Sequence, residues 1–412
     1  MQARPNNPNS RNQSLAIREA PDSRLQRALR KAAPLSLVLA GGIATAAIMP
    51  AAAQADYSVE TVAENLEHPW SIAFVPDTRM VLVSERPGRI QLIDRDSGEM
   101  HEISGVPEVH AQGQGGLLDL ALHPDFPDEP WVYMSFSGAD AQGLSTTYVA
   151  RAPLDMDERT LGDIDVLHMV EPFLDSNGHF GSRIVFDDDG YLFVTVGDRN
   201  SKDFGPQHYS QDRSNGLGSI LRLNADGSIP SDNPFVDDPD ADDAIYSYGH
   251  RNPQGLATHP QTGELWSNEH GENNGDEINV IQTGGNFGWP IATWGVDYRT
   301  GERFAPTPPE VEGTVDPVYW WESDHPEGFP PSGLAFYFGD AFPDWEGDMF
   351  MGNLAHRYLG RFSVDGHEVE QTGRLLEDQE WRIRDVAVSP DDGYIYVVVD
   401  DSDAPMVRLR PE

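Results

Sequence analysis

A histidine and an aspartate stand at the two ends of one hairpin in this 412-residue chain. The segment Asn177-Gly178-His179-Phe180-Gly181-Ser182-Arg183 runs into an apolar strand, and the returning strand ends at Gly197-Asp198-Arg199-Asn200. Antiparallel pairing brings His179 and Asp198 to one rim. A carboxylate that fixes an imidazole's tautomer and stabilises its protonated form makes a general base. The same residues also fit a surface-loop histidine beside a turn aspartate.

Three further segments carry chemistry-bearing residues at strand ends. Gly249-His250-Arg251-Asn252-Pro253-Gln254-Gly255 is a donor-rich loop stiffened by proline, suited to an anionic or carbonyl-bearing ligand. Asn268-Glu269-His270-Gly271-Glu272-Asn273-Asn274-Gly275-Asp276-Glu277 offers many oxygens, as hard cations such as calcium prefer, without the spacing of a helix-loop-helix calcium site. It reads equally as a solvated acidic loop. In Trp381-Arg382-Ile383-Arg384-Asp385, strand alternation sets Arg382 and Arg384 on one side. Two adjacent guanidiniums repel unless they share an anion, either a polycarboxylate or phosphate ligand or the neighbouring Asp385. Gln112 and Gln114 precede another strand at the matching rim, and Tyr319-Trp320-Trp321 could floor a planar ligand or simply pack a core.

The elements that must position these residues recur six times. An apolar strand, a Pro or Asp turn and a second apolar strand begin at Ser71, Leu120, Arg183, Gly255, Gly333 and Asp385. The turns Asp188-Asp189-Gly190, Asp391-Asp392-Gly393 and Thr262-Gly263 have hairpin chemistry. Pro and Gly interrupt nearly every window, so no long helical stripe persists. The pattern predicts an all-β chain folded as one six-bladed β-propeller of four-stranded antiparallel blades, over residues 56–412. A pair of sandwiches would leave the six-fold recurrence unexplained. In a propeller, the strand-end residues named above converge at one mouth of the central channel.

Composition narrows the partners. Lys+Arg number 28 against 68 Asp+Glu, giving a net charge of −40, and there is no Cys. Disulfides, thiolate metal sites and cysteine nucleophiles are excluded, and an acidic field disfavours nucleic acid. Residues 1–55 differ from the rest: basic residues up to Lys31, an apolar run from Leu35 to Ile48, then Ala53-Gln54-Ala55. That order predicts a secretory leader cleaved near Ala55, a periplasmic or secreted mature chain, and no stable membrane span within it. The remaining residues hold 21 basic and 66 acidic side chains, with Lys202 the single lysine. Runs such as Asp237-Asp238-Pro239-Asp240 read as solvated loop.

Taken in order, "GQGGLLDLALHPDF", "GHFGSRIVF", "VTVGDR", "GHRNPQGLA", "NEHGENNGDEIN", "GGNFGWP" and "WRIRDVAVSPDDG" resemble the soluble quinoprotein dehydrogenases that use pyrroloquinoline quinone (PQQ), and within them the aldose sugar dehydrogenase branch. The resemblance runs from about Val59 to Arg410. It implies that His179 takes the proton from the anomeric hydroxyl and that Asp198 orients it. It places Gln114 beside quinone and substrate, Arg251 and Asn252 near the reactive quinone carbonyls, and Arg382 and Arg384 on the PQQ carboxylates. By the same token the backbone carbonyls of Gly271 and Glu272 would hold an active-site calcium ion (Ca2+). The implied reaction oxidises aldoses to lactones, and the electrons leave to an external acceptor, a quinone or a small redox protein. Two positions depart from the glucose-specific members: Gly178 stands where they carry Asp, and Ala355 where a Lys contacts PQQ, with His356 or Arg357 as candidate substitutes. Asp297 is the candidate for a second, structural calcium. A calcium-dependent propeller lactonase and a non-catalytic binding propeller are the rival readings.

Overall fold

The computed structural model describes residues 57–322, 324–325 and 327–412, so the leader expected over residues 1–55 lies outside the described residues. Six antiparallel sheets follow one another around a ring. The first is Pro69–Phe74, Met80–Glu85, Arg89–Asp94 and Met100–Ile103. The second runs through Leu117–Leu122, Trp131–Ala139, Ser145–Asp155 and Asp165–Met169. Ile184–Phe186, Leu192–Thr195, Ser219–Leu223 and Ile245–Tyr248 make the third, and Pro253–Thr258, Leu265–Glu269, Glu277–Val280 and Tyr319–Trp320 the fourth. The fifth holds Pro331–Phe336, Met349–Asn353, Tyr358–Asp365 and Glu368–Leu375. The sixth takes Ile383–Val388, Ile395–Val399 and Ala404–Pro411, and its outer strand is Tyr57–Leu66, from the opposite end of the chain. The chain is therefore a six-bladed β-propeller whose six inner hairpins are those expected from the sequence. The shared last blade is a feature that a search for repeats does not reveal.

Each innermost strand packs on the innermost strand of the next blade, and the sixth packs on the first, which closes the ring. The apolar core is correspondingly divided. One cluster joins Leu82, Ile90 and Leu92 of the first blade to Leu120, Val132 and Met134 of the second, and a similar cluster fills each later seam. Side-chain hydrogen bonds run across the seams nearest the channel. Ser84 Oγ donates to Leu118 O, Thr195 Oγ1 to Pro253 O, Asn268 Nδ2 to Ser332 O and Ser332 Oγ to Ile383 O. At the last seam the Ile72 N–H donates to Asp385 Oδ2.

Five of the six inner strands break register within their first residues, at Pro69/Ser71, Leu117/Leu120, Pro253/Gly255, Pro331/Leu334 and Ile383/Asp385. A bulge leaves its extra residue out of the ladder and re-aims its side chain. The residues so displaced include Trp70, Leu118, Gln254 and Arg384, and all four line a cavity at the channel mouth. Among the described residues there is no α-helix, and no helix is long and apolar enough to cross a membrane.

Candidate active site

The loop entering the third blade and the strand leaving it bring the histidine and aspartate together, with His179 Nδ1 2.6 Å from Asp198 Oδ1. His179 has a left-handed backbone, φ 49°. Its N–H is held by Gln114 Oε1 at 2.8 Å, so the glutamine fixes the loop that presents the imidazole. Gly181 is required here because its φ is 64° and a Cβ would lie 2.7 Å from Thr195 O. The other carboxylate oxygen, Asp198 Oδ2, accepts from Trp289 Nε1 at 2.8 Å, while the Asn200 N–H donates to Oδ1. His208 Nε2 stands 3.6 Å from Oδ2. Burial raises the Asp198 carboxyl pKa, but His179, Arg251 and His208 outweigh it and the group stays below its usual range. Burial, Arg251 and Lys202 push the His179 pKa down, against the pull of Asp198. The imidazole is therefore neutral at neutral pH, with Nδ1–H on Asp198.

His179 lines one of two cavities that share Gln114, His270, Pro330 and Ala355 along their walls. The lobe beside His179 has a volume of about 520 Å³ and is bordered by Asn200, Lys202, Arg251, Gly271, Glu272, Tyr298 and His356. The second lobe, about 390 Å³, is bordered by Trp70, Arg86, Phe180, Asn252, Gln254, Arg382, Arg384 and Asp400. Of the residues singled out from the sequence, Gln114 and His179 line this cleft, with Arg251, Gly271 and Glu272 on one side of it and Asn252, Arg382 and Arg384 on the other, while Asp198 stands behind His179.

Charge is arranged differently in the two lobes. Arg382 Nη2 and Arg384 Nη2 both reach Asp400 Oδ2, at 3.3 and 3.0 Å, so the shared anion is Asp400. Asp385, the counter-ion suggested by sequence adjacency, sits across the bulge and pairs with Arg183 at 3.1 Å instead. His68 and Arg86 also face Asp400, at 3.0 and 3.9 Å. Burial alone would raise the Asp400 pKa, but the surrounding cations hold it far below the usual carboxylate range. Three guanidiniums around one carboxylate leave this lobe cationic. Buried nitrogens Arg86 Nε, Arg384 Nε and Arg251 Nε have no hydrogen-bond partner. Such orphaned cationic donors favour an anionic ligand with several acceptor oxygens.

The second charge cluster centres on Glu272, whose carboxylate accepts from Arg251 Nη2 at 2.6 Å and from Lys202 Nζ at 2.8 Å. Asp276 accepts from the N–H groups of Gly271 and Phe329, and burial pushes its pKa up to about 6. His270 donates through Nε2 to Pro331 O at 2.6 Å, and burial brings its pKa down to about 3, so it is neutral. Among the described residues no group of three His, Asp or Glu side chains is arranged to hold a metal. Gly271 and Glu272, however, line the larger lobe, and their carbonyls accept no hydrogen bond from the described residues. Carbonyl oxygens of this kind suit calcium.

Several expectations resolve otherwise. Trp321 is buried against Phe329 and Phe362, while Trp320 stacks on Trp294 at 4.4 Å, so this aromatic run does not floor the cleft. Asp297 is engaged by Arg299 at 2.5 Å. Arg357 reaches only Glu380 O, at 3.5 Å, and of the two candidate substitutes for the missing lysine only His356 borders the cleft. Trp289, His208, Arg86, Asp400 and Lys202 are site residues that motif reading passed over. The "GWP" turn and the lone lysine were the available signals for two of them.

The glucose/sorbosone dehydrogenase family profile matches residues 66–408. Aldose sugar dehydrogenase YliI of Escherichia coli (strain K12) is 41% identical over 361 residues, covering 87% of this chain and 94% of that protein. Quinoprotein glucose dehydrogenase B of Acinetobacter calcoaceticus is 29% identical over 417 residues, covering 84% and 86%. The apo-form structure of the soluble aldose sugar dehydrogenase from Escherichia coli superposes with a TM-score of 0.79 at 39% identity, covering 87% and 100%. The PQQ-bound aldose sugar dehydrogenase from Streptomyces coelicolor gives a TM-score of 0.69 at 30% identity, covering 87% and 99%.

Proposed function

The chain belongs to the glucose/sorbosone dehydrogenase family, and from that premise we propose that it is a PQQ-dependent aldose sugar dehydrogenase oxidising the C1 hydroxyl of aldoses to lactones. The observation that carries the reading is the His179–Asp198 pair, 2.6 Å apart, opening onto a cleft whose far lobe holds buried, unpaired guanidinium nitrogens.

PQQ carries three carboxylates on a planar quinone, and the donor set fits it. Arg86, Arg382 and Arg384 supply cationic donors, Trp70 and Phe180 supply apolar walls, and Asn252 and Gln254 supply neutral polar groups. When bound, PQQ supplies the two-electron acceptor that the side chains lack. Gly271 and Glu272 would hold calcium through their carbonyls, and the ion would contribute Lewis acidity beside the quinone.

The chain's own residues handle the proton. His179 Nε2 accepts it from the C1 hydroxyl, and Asp198 stabilises the imidazolium that results. Gln114 holds the His179 backbone, so the base keeps its place while the substrate changes. Arg251, 2.6 Å from Glu272 and 5.2 Å from the Trp289 ring centre, lowers the His179 pKa and keeps the imidazole unprotonated before reaction. The electrons then pass to an external quinone or small redox protein, and a leader over residues 1–55 would place the reaction in the periplasm or outside the cell.

Dye-linked oxidation of a sugar panel by the purified chain tests this, without additions and with PQQ plus calcium. Activity that requires both supports the proposal, and His179→Ala should then lower kcat by about 10²–10⁴-fold while PQQ still binds. Lactone hydrolysis without PQQ, or no PQQ binding, would overturn it.

A further inference from the structure

Lys202 is the only lysine among residues 56–412, in a stretch that carries 20 arginines. It lies in the loop that follows Asp198, and its ammonium projects into the lobe beside His179. Its position is a built one. Nζ lies 2.9 and 2.8 Å from the two Glu272 oxygens, 5.7 Å from the Phe204 ring centre and 5.9 Å from that of Tyr298. Glu272 is shared with Arg251, so two cations face one carboxylate. Of the lobe's other charged groups, Arg299 is paired with Asp297, and Asp276 is turned onto two backbone N–H donors. The Lys202 side chain is 41% exposed, against 2% for Glu272 and 6% for Arg251. Of the two cations on Glu272, the ammonium is therefore the one presented to the open lobe, inside a protein that is otherwise strongly anionic.

A lysine suits this place better than an arginine. Its ammonium is a compact charge on a flexible stem, able to leave Glu272 with Arg251 and turn to an incoming anion. Lys202 and His179 line the same lobe, of about 520 Å³.

We propose that Lys202 sets substrate class: the lobe binds aldoses that carry a carboxylate at the end remote from C1, that is uronic acids, with the carboxylate on Lys202 Nζ and the C1 hydroxyl at His179 Nε2. This rests on the proposed sugar oxidation and deepens it. The reaction at C1 is unchanged and gives the lactone of an aldaric acid.

The test compares kcat/KM for glucuronate and glucose, with PQQ and calcium supplied, at about 0.15 M salt so that the bulk acidic field is screened beyond about 8 Å. Wild type should favour glucuronate roughly tenfold, a ratio that Lys202→Met brings near one and Lys202→Arg largely keeps. Calorimetric titration of glucuronate into the cofactor-free protein supplies a readout independent of turnover, with the Lys202→Met variant binding roughly tenfold more weakly. A wild-type ratio at or below one, or a ratio and an affinity that Lys202→Met leaves unmoved, overturns the proposal. Oxidation of neither sugar alongside Lys202-dependent glucuronate binding would sink the dehydrogenase reading while sparing this one.

Discussion

Trp289 hydrogen-bonds Asp198 through its indole N–H, 2.8 Å from the carboxylate oxygen that His179 leaves free. The aspartate is thereby fixed from both sides by groups from different blades, and it can hold the imidazole in one orientation. Because the same indole ring also lies against the Arg251 guanidinium, one residue joins the His179–Asp198 pair to a cation that lowers the imidazole pKa.

Trp289→Phe keeps the ring and removes the donor. Asp198 then concentrates more of its charge on His179, which raises the imidazole pKa. The acid limb of the kcat/KM profile should move to higher pH, and kcat should fall roughly tenfold, from the loss of a hydrogen bond to a charged group. A pH–rate series on both proteins checks this. An unshifted limb would reduce Trp289 to packing.

Asp400 is the anion on which Arg382 and Arg384 converge. Asp400→Asn leaves those guanidiniums and Arg86 uncompensated in a mostly buried setting, and stability should fall by about 3–5 kcal/mol. PQQ would restore an anion there, so its addition should raise the variant's Tm by more than it raises that of wild type. Thermal melts with and without PQQ measure the difference.

Asp385 shares Arg183 with Asp119, each 3.1 Å from Arg183 Nη1, and the guanidinium lies over Trp70 at 4.3 Å. Burial, reinforced by Asp119 and opposed by Arg183, pushes the Asp385 pKa up to about 6. A carboxyl with a raised folded pKa binds more protons in the native state than in the unfolded one, so its contribution falls as pH rises from about 4 to about 6. Asp385→Asn removes that proton uptake. Its stability should lack up to about 1.4 kcal/mol per pH unit of the wild-type decline in that window, measured by urea unfolding at several pH values.

The sequence resemblance sets Gly178 against an Asp of the glucose-specific members. A Cβ there would meet Asn200 Cβ at 3.5 Å and Gln114 Oε1 at 3.6 Å, ordinary contacts. Gly178→Asp should therefore fold normally and add an acceptor next to the base. The ratio of kcat/KM for glucose to that for xylose should rise roughly tenfold. Parallel assays of the two sugars decide it.

The inner hairpins were legible because their signal is local: alternating apolar residues around turns such as Asp188-Asp189-Gly190, where Gly190 takes φ 81°. His179 and Asp198 were legible for the same reason, since the two ends of one hairpin must meet. Arg384 lies on one strand of the last blade and Asp400 just past the end of its neighbour, and the side chain that sequence adjacency favoured, Asp385, is carried away by a bulge. Nothing in the hydrophobic pattern marks such a bulge, which shifts one residue without altering the strands around it. Lys202 comes to the site on a long loop of the third blade and Trp289 on one of the fourth, and only the packing of these two blades brings the tryptophan to it.

The pairing of Tyr57–Leu66 with Ala404–Pro411 sets a timetable for biosynthesis. Among the described strands, Tyr57–Leu66 is made first, yet its partner is made last. The first five blades can each gather their own strands as synthesis proceeds, but the first-to-sixth seam, with its Ile72–Asp385 hydrogen bond, must await the final residues. Until then the growing chain is an open arc with a bare edge at both ends, the kind of edge that recruits foreign strands. Loss of the strand Ala404–Pro411 would leave the arc unlatched.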